Sequence, residues 1–308
     1  MINFLNLRYF VLIAQKGNIT KIAQSEHVSQ QSLSNHIKKI ESELGVILLN
    51  RKDGCSLTPA GKQFFKYAKR LLEIYEEMKT EMSDISGEAQ GMLRIGVTYT
   101  RGSIILPKIL PDFRREFPQI QVSVNENNPR VLEEYLLGGH LDLIFAIDLR
   151  SHPDIEKIDL YGEKKYLIVP KKIAKEITGL DDTYIQKPLD LKDFADYDFL
   201  LPTKGNRFRE VIDTLAEKEN VDIKIVLQTE IIETLFALAC NGMGITVYNE
   251  MYLGKHKDLL NSKDCPISVV KLNGMPENSH VSIGYNKCRY LSNAAKRFIE
   301  LAKEKLKS

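Results

Sequence analysis

Between Phe64 and Ile85 the residues Phe64, Ala68, Leu71, Tyr75, Met78, Met82 and Ile85 stand 4, 3, 4, 3, 4 and 3 positions apart. A repeat of 3.5 held over three heptads keeps one apolar seam facing one way along a long helix, the requirement of a coiled coil. A helix packed into a globular core drifts toward 3.6 instead, and the flanking Lys and Glu residues suit exposed faces. From Pro59 onward the only glycine before Gly87 is Gly61, in the first turn, and no further proline intervenes. Nothing breaks this helix before the polar stretch Ser86-Gly87-Glu88-Ala89-Gln90-Gly91, where the chain is expected to divide. The expected parts are 1–58, a linker helix and hinge at 59–90 through which two copies dimerise, and 91–308.

A chain of 308 residues, 43% hydrophobic and 27% charged, suits two or three soluble domains. No apolar run reaches bilayer length, and the N-terminal apolar stretch lacks a basic segment ahead of it. No membrane partner is expected, and the location is read as cytoplasmic, on the nucleoid. Cys55, Cys240, Cys265 and Cys288 form no CxxC pair and the six histidines no HxxxH pair, which argues against a disulfide framework or a metal site. No P-loop, GxGxxG, HExxH or GxSxG is present, so neither a catalytic residue nor a cofactor is assigned and the chain is read as a non-enzyme. Net charge is +2, but residues 1–58 hold seven basic against four acidic groups, a surplus suited to a phosphate backbone.

Those 58 residues read as a winged helix-turn-helix. Leu7, Phe10, Val11 and Ala14 recur at helical spacing up to Gly17. Asn18 can cap a second helix, and Ser29 a third with the apolar stripe Leu33, Ile37, Ile40 and Leu44 before Gly45. Opposite that stripe lie Gln30, Gln31, Ser34, Asn35 and Lys38. Gln and Asn can pair bidentately with adenine, Ser can bond base or phosphate, and Lys neutralises phosphate. Asp53-Gly54 signals a two-residue hairpin, hence a wing with Arg51 and Lys52 at its base. Thr58 is an N-cap ahead of Pro59. The DNA-contacting candidates are Gln30, Gln31, Ser32, Ser34, Asn35, Lys38, Arg51, Lys52 and Thr58.

The segment LRYFVLIAQKGNITKIAQSEHVSQQSLSNHIKKIESELGVILLNRKDGCSLTPAG resembles the N-terminal domain of LysR-type regulators along its whole length. Leu7, Phe10, Gly17, Thr20, Ala23, Ser29, Gln30, Ser34, Ile37, Glu41, Leu44, Gly45, Arg51, Leu57, Thr58, Ala60 and Gly61 match the family pattern in order. Gln31 departs from the usual proline. The resemblance implies dimerisation through the linker helix, a homodimer or homotetramer on a two-fold symmetric double-stranded operator, and RNA polymerase as a further partner.

The remainder alternates strand and helix patterns: extended at 92–97, 120–125 and 141–146, helical at 103–117 and 130–137, and again from 166 to 306. The fold class expected is therefore α/β behind an all-α winged-helix domain. The resemblance implies two Rossmann-like lobes of the type-2 periplasmic-binding-protein fold. Lobe I is expected at about 92–161 plus 267–308, and lobe II at about 162–266. A solute-binding transport component would share that fold but not the DNA-binding front end. Ligands of such sheets sit at strand carboxyl ends, near helix N-termini that attract anions. The effector-binding candidates are Thr98, Thr100, Arg101, Ser103, Asn128, Pro129, Thr203, Arg207 and Thr246. The family often has Ser or Thr where Pro129 stands. Arg101, Lys204 and Arg207 favour a small anionic effector such as a carboxylate.

Overall fold

The structure is a computed structural model that describes residues 2–50, 55–87, 89–276 and 279–306. The chain forms two compact units, Met1–Glu88 and Ala89–Ser308. In the first, α1 (Phe4–Lys16), α2 (Ile19–Ser25) and α3 (Gln30–Leu44) pack around Phe10, Ile13, Ile22, Leu33 and Ile37, all fully buried. Local chemistry sets the helix ends. The side chains of Asn18 and Ser29 accept from Lys21 N at 3.0 Å and Ser32 N at 3.1 Å, and Gly17 and Gly45 adopt left-handed φ of 66° and 67°. Leu44 departs from its expected place, being 43% exposed one residue before the chain turns away at Gly45.

Strands β1 (Leu49–Asn50) and β2 (Ser56–Leu57) pair antiparallel as a short wing. The expected Asp53-Gly54 turn lies outside the described residues. Glu41 ties this wing to α3 by accepting from Leu48 N at 2.9 Å and Leu49 N at 3.3 Å. Helix α4 (Pro59–Ser86) then starts hard against the wing: Gly61 has no room for a Cβ, which would overlap the Leu48 carbonyl oxygen. Alanine favours a helix over glycine by roughly 0.5–1 kcal/mol, whereas overpacking costs roughly 1–3 kcal/mol, so the clash should win. Gly61→Ala is expected to destabilise this unit by about 1–2 kcal/mol, read by chemical denaturation of residues 1–90; an unchanged midpoint would refute the close approach.

The apolar positions of α4 divide between two faces. Phe64 packs edge-on to Phe10 with ring centroids 4.9 Å apart, Ala68 is fully buried, and Tyr75 stacks on Phe4 at 4.2 Å. These three, expected in a dimer seam, serve their own domain because α1 lies along that side of the helix. Leu71, Met78, Met82 and Ile85 are exposed, and Tyr67 and Ile74 join them on the outer face.

The second unit holds two sheets. The first lobe uses β3 (Gly91–Val97), β4 (Ile120–Glu126), β5 (Leu143–Ile147), β6 (Ile155–Glu163) and a late strand, Ser279–Asn286, in the order β4-β3-β5-late strand-β6. Its helices are α5 (Tyr99–Glu116) and α6 (Pro129–Leu137), with a closing helix, Asn293–Leu306, packed on α5. The second lobe contains β7 (Lys165–Pro170), α7 (Lys171–Thr178), β8 (Tyr184–Leu189), β9 (Asp198–Leu201), α8 (Arg207–Glu219), β10 (Lys224–Gln228), α9 (Ile232–Cys240), β11 (Thr246–Asn249), α10 (Glu250–Leu253), α11 (Lys257–Leu260) and β12 (Ile267–Leu272). Its four-stranded sheet runs β11-β7-β12-β8, and a bridge between Phe199 and Ile245 joins the β9/β10 pair to it. The late strand and closing helix are β13 and α12.

Two expectations are corrected here. Residues 267–272 do not belong to lobe I: β12 pairs antiparallel with β7 and parallel with β8, so the chain returns to lobe I only between Leu272 and Ser279. Helix α5 begins at Tyr99 rather than 103, because β3 ends at Val97 and the single extended residue Thr98 leads straight into the helix, without a side-chain cap. Among the described residues no helix is long and apolar enough to cross a membrane, and no cluster of His, Cys, Asp or Glu could hold a metal ion.

Candidate DNA-reading face and effector cleft

With Leu33, Ile37 and Ile40 buried, the opposite side of α3 is polar. Gln30, Gln31, Asn35 and Lys38 are exposed, and Ser32 and Ser34 are half-buried at its margins. Lys38 has no acidic partner among the described residues, so its charge is free to meet a phosphate. The helix is braced from behind by buried Asn6 of α1, whose Oδ1 lies 2.5 Å from His36 Nδ1. Arg51 and Lys52 lie outside the described residues. Thr58 is better explained as a cap than as a DNA contact. Its hydroxyl donates to Ile47 O at 2.7 Å and accepts from Gly61 N at 2.9 Å.

Between the lobes lies a cleft of about 440 Å³. The helix starts of α5, α6, α8 and α9 all open onto it, because each follows a strand carboxyl end or the loop after one. Thr98, Thr100, Asn128, Pro129 and Thr203 line it, as do Arg101 and Arg207. Asn128 and Asn206 accept from Val131 N at 3.1 Å and Phe208 N at 3.0 Å, partly capping α6 and α8; the first turn of α5 has no side-chain cap.

Arg101 is not free to hold an effector. It is 1% exposed, and its guanidinium bonds Glu163 Oε2 at 2.8 Å, where Glu163 is 2% exposed. Glu163 also accepts from Asn249 Nδ2 at 2.9 Å and Met251 N at 3.2 Å. Arg101 adds a bond to the Tyr161 hydroxyl at 3.2 Å and faces the Tyr252 ring. Burial pushes the Tyr161 phenol up to about 12, so it stays protonated and points its hydrogen at Met251 Sδ, 3.2 Å away. This network joins α5 of one lobe to β11 and α10 of the other.

Arg207 is likewise engaged, bonding Asp148 O at 3.1 Å and Glu210 at 3.0 Å, with Glu133 4.0 Å away; it ties α8 to the opposite lobe. Two candidates are off the cleft. The Ser103 hydroxyl donates to Thr100 O and accepts from Lys255 Nζ at 2.7 Å, beside a separate surface groove. Thr246 is fully buried within β11.

The profile of bacterial regulatory helix-turn-helix proteins of the lysR family matches residues 4–62, and that of the LysR substrate binding domain matches residues 86–307. The chain belongs to the LysR family. It is a DNA-binding transcriptional regulator with an effector-binding domain. An uncharacterised HTH-type transcriptional regulator of Bacillus subtilis, YcgK, is 28% identical, covering 98% of this chain and 94% of the relative. The nitrogen assimilation regulatory protein nac of Escherichia coli is 29% identical over 80% of this chain and 78% of its own. Among solved structures, full-length CbnR complexed with its target DNA superposes with a TM-score of 0.66 at 23% identity, covering 99% of this chain and 100% of CbnR. A full-length OxyR variant from Pseudomonas aeruginosa gives 0.69 at 23% identity, covering 99% and 95%. At that identity the structures speak to fold alone.

Within this LysR-family cleft, sequence reasoning passed over Asn127, Phe208, Asn249 and Tyr252, which also line it. Asn249 was within reach, since it ends a strand as the other candidates do; Tyr252 was not, because only the return of α10 against α5 brings it in.

Proposed function

We propose that this LysR-family regulator reads a two-fold symmetric operator as a dimer. Helix α3 lies in the major groove, the outer face of α4 joins the copies, and a small anion in the interlobe cleft tunes the affinity. The convergence of four helix starts on the cleft carries the effector reading. Through its free N–H groups, each helix start offers roughly 0.3–1 kcal/mol to a nearby negative charge. Cationic side chains contribute less than their number implies. Arg101, Arg130 and Arg207 are paired within the chain, leaving Lys204 at the mouth as the cation with no ion-pair partner among the described residues.

DNA reading is tested by titrating selected operator and random duplex with the full chain. Lys38→Ala is expected to weaken both equally and to lower the salt slope by about one phosphate contact. Gln30→Ala is expected to cost roughly 1–3 kcal/mol on the operator alone. Unchanged discrimination in Gln30→Ala would remove it from the reading face. For the cleft, Thr100→Val keeps shape and loses a hydroxyl; effector response should fall while effector-free DNA binding stays.

A further inference from the structure

Helix starts accept many anions, but one buried atom narrows the class. Asn249 closes β11 on the wall of the cleft and is fully buried. Its Nδ2 donates to Glu163 Oε2, and because the carboxylate paired with Arg101 can only accept there, this bond fixes the orientation of the amide. Oδ1 is then the other end, and it has no hydrogen-bond partner among the described residues. The side chain does not turn to cap α10. A buried amide oxygen that has lost water and gained no donor is unfavourable, and a cleft ligand is well placed to supply one.

The charge of that donor is also constrained. Glu163, the carboxylate bonded to Asn249, is already neutralised by the Arg101 guanidinium, so an ammonium at Oδ1 would face a buried cation beside it, with Glu230 elsewhere on the cleft wall as the carboxylate without an ion pair among the described residues. A neutral O–H fits. The first turn of α5, without a side-chain cap, lies beside the same wall: Arg101 in that turn reaches Glu163, and Thr98 at its head lines the cleft with Asn249 and Tyr252.

We infer that the effector is a hydroxycarboxylate, its carboxylate meeting the N-terminal turn of α5 and its neutral hydroxyl donating to Asn249 Oδ1. This rests on the interlobe cleft being the effector site.

The test is titration calorimetry of the full chain with acids differing by one hydroxyl: malate against succinate, citrate against tricarballylate, lactate against propionate. Aspartate against succinate probes the ammonium. At least one hydroxy acid should bind about tenfold or more tighter than its deoxy partner, since a site built around a hydroxyl rejects the analogue lacking it. Aspartate should gain nothing over succinate. Asn249→Ala should bring the pair within about twofold, and Asn249→Ser, which restores an acceptor, should recover part of the preference. The wild-type comparison stands even if either variant folds poorly.

Two failures are distinguishable. If no acid binds at millimolar concentration, or binding ignores Thr100→Val and Lys204→Ala, the cleft reading itself is overturned. If acids bind and those variants weaken them, but hydroxy and deoxy members are equal or the preference survives Asn249→Ala, only the hydroxycarboxylate inference falls.

Discussion

Combining Leu71→Glu with Met78→Glu is expected to convert the 1–90 fragment from dimer to monomer. Both side chains are 48% exposed on the outer face of α4 and take no part in the core of their own domain, so the fold should survive. Across a two-fold seam the double variant sets four carboxylates against one another where apolar contacts were available, reversing the sign of the interaction. Ala68 would be the wrong position for this experiment, since it is fully buried within its own subunit and any loss of dimer would be confounded with unfolding. Sedimentation velocity reads the outcome, with thermal melting as the check on folding. Operator affinity of the full chain should fall on the order of a hundredfold, as two half-sites lose their linkage. A folded variant that still sediments as a dimer would place the interface elsewhere.

The second large effect concerns Arg101. Removing one partner of a buried ion pair leaves the other charge without compensation, a loss of roughly 3–5 kcal/mol. Arg101→Met is expected to destabilise the effector-binding unit by that amount, lowering its melting temperature by on the order of 10 °C. Arg101→Met with Glu163→Gln should recover a large part, because two neutral groups of similar size no longer strand a charge. A single-variant loss below about 1 kcal/mol would show that the pair does not hold the lobes as described. The same experiment separates structure from signalling: an Arg101 that served the effector would change ligand affinity without this stability cost.

Arg101 also marks the boundary of what the sequence could disclose. Its position after a strand, in a helix's first turn, was legible; its partner 62 residues away was not, and that partner turns an apparent ligand into a strut. Local chemistry carried better. Asn18, Ser29 and Thr58 cap the helices they were read to cap, because an N-cap needs only its own next three residues. The coiled-coil repeat was legible as a period, yet α1 takes Phe64, Ala68 and Tyr75 for the domain interior, and a period cannot say which neighbour claims a face. Strands β6 and β8 were missed for different reasons. β6 mixes charged and apolar residues along IEKIDLYGE, while Pro188 within β8 marks it as an edge strand, where proline's missing donor is tolerated. The lobe assignment of β12 failed because strand order in a sheet is set by pairing, not by sequence position.

The position of β13 has a consequence for how the polypeptide comes together during synthesis. It lies between β5 and β6, and among the described residues β6 has no other strand neighbour. Every strand of the second lobe has been synthesised by Leu272, whereas the first lobe waits for Ser279–Asn286 and for α12 to cover it. The lobe that begins first is finished last. Until then β5 is an open edge of the partial sheet and β6 is a strand without a partner, which is the hazard of late, non-local pairing. A chain cut short between Leu272 and Ser279 would therefore carry every strand of the second lobe, and a first lobe that is an invitation to aggregate.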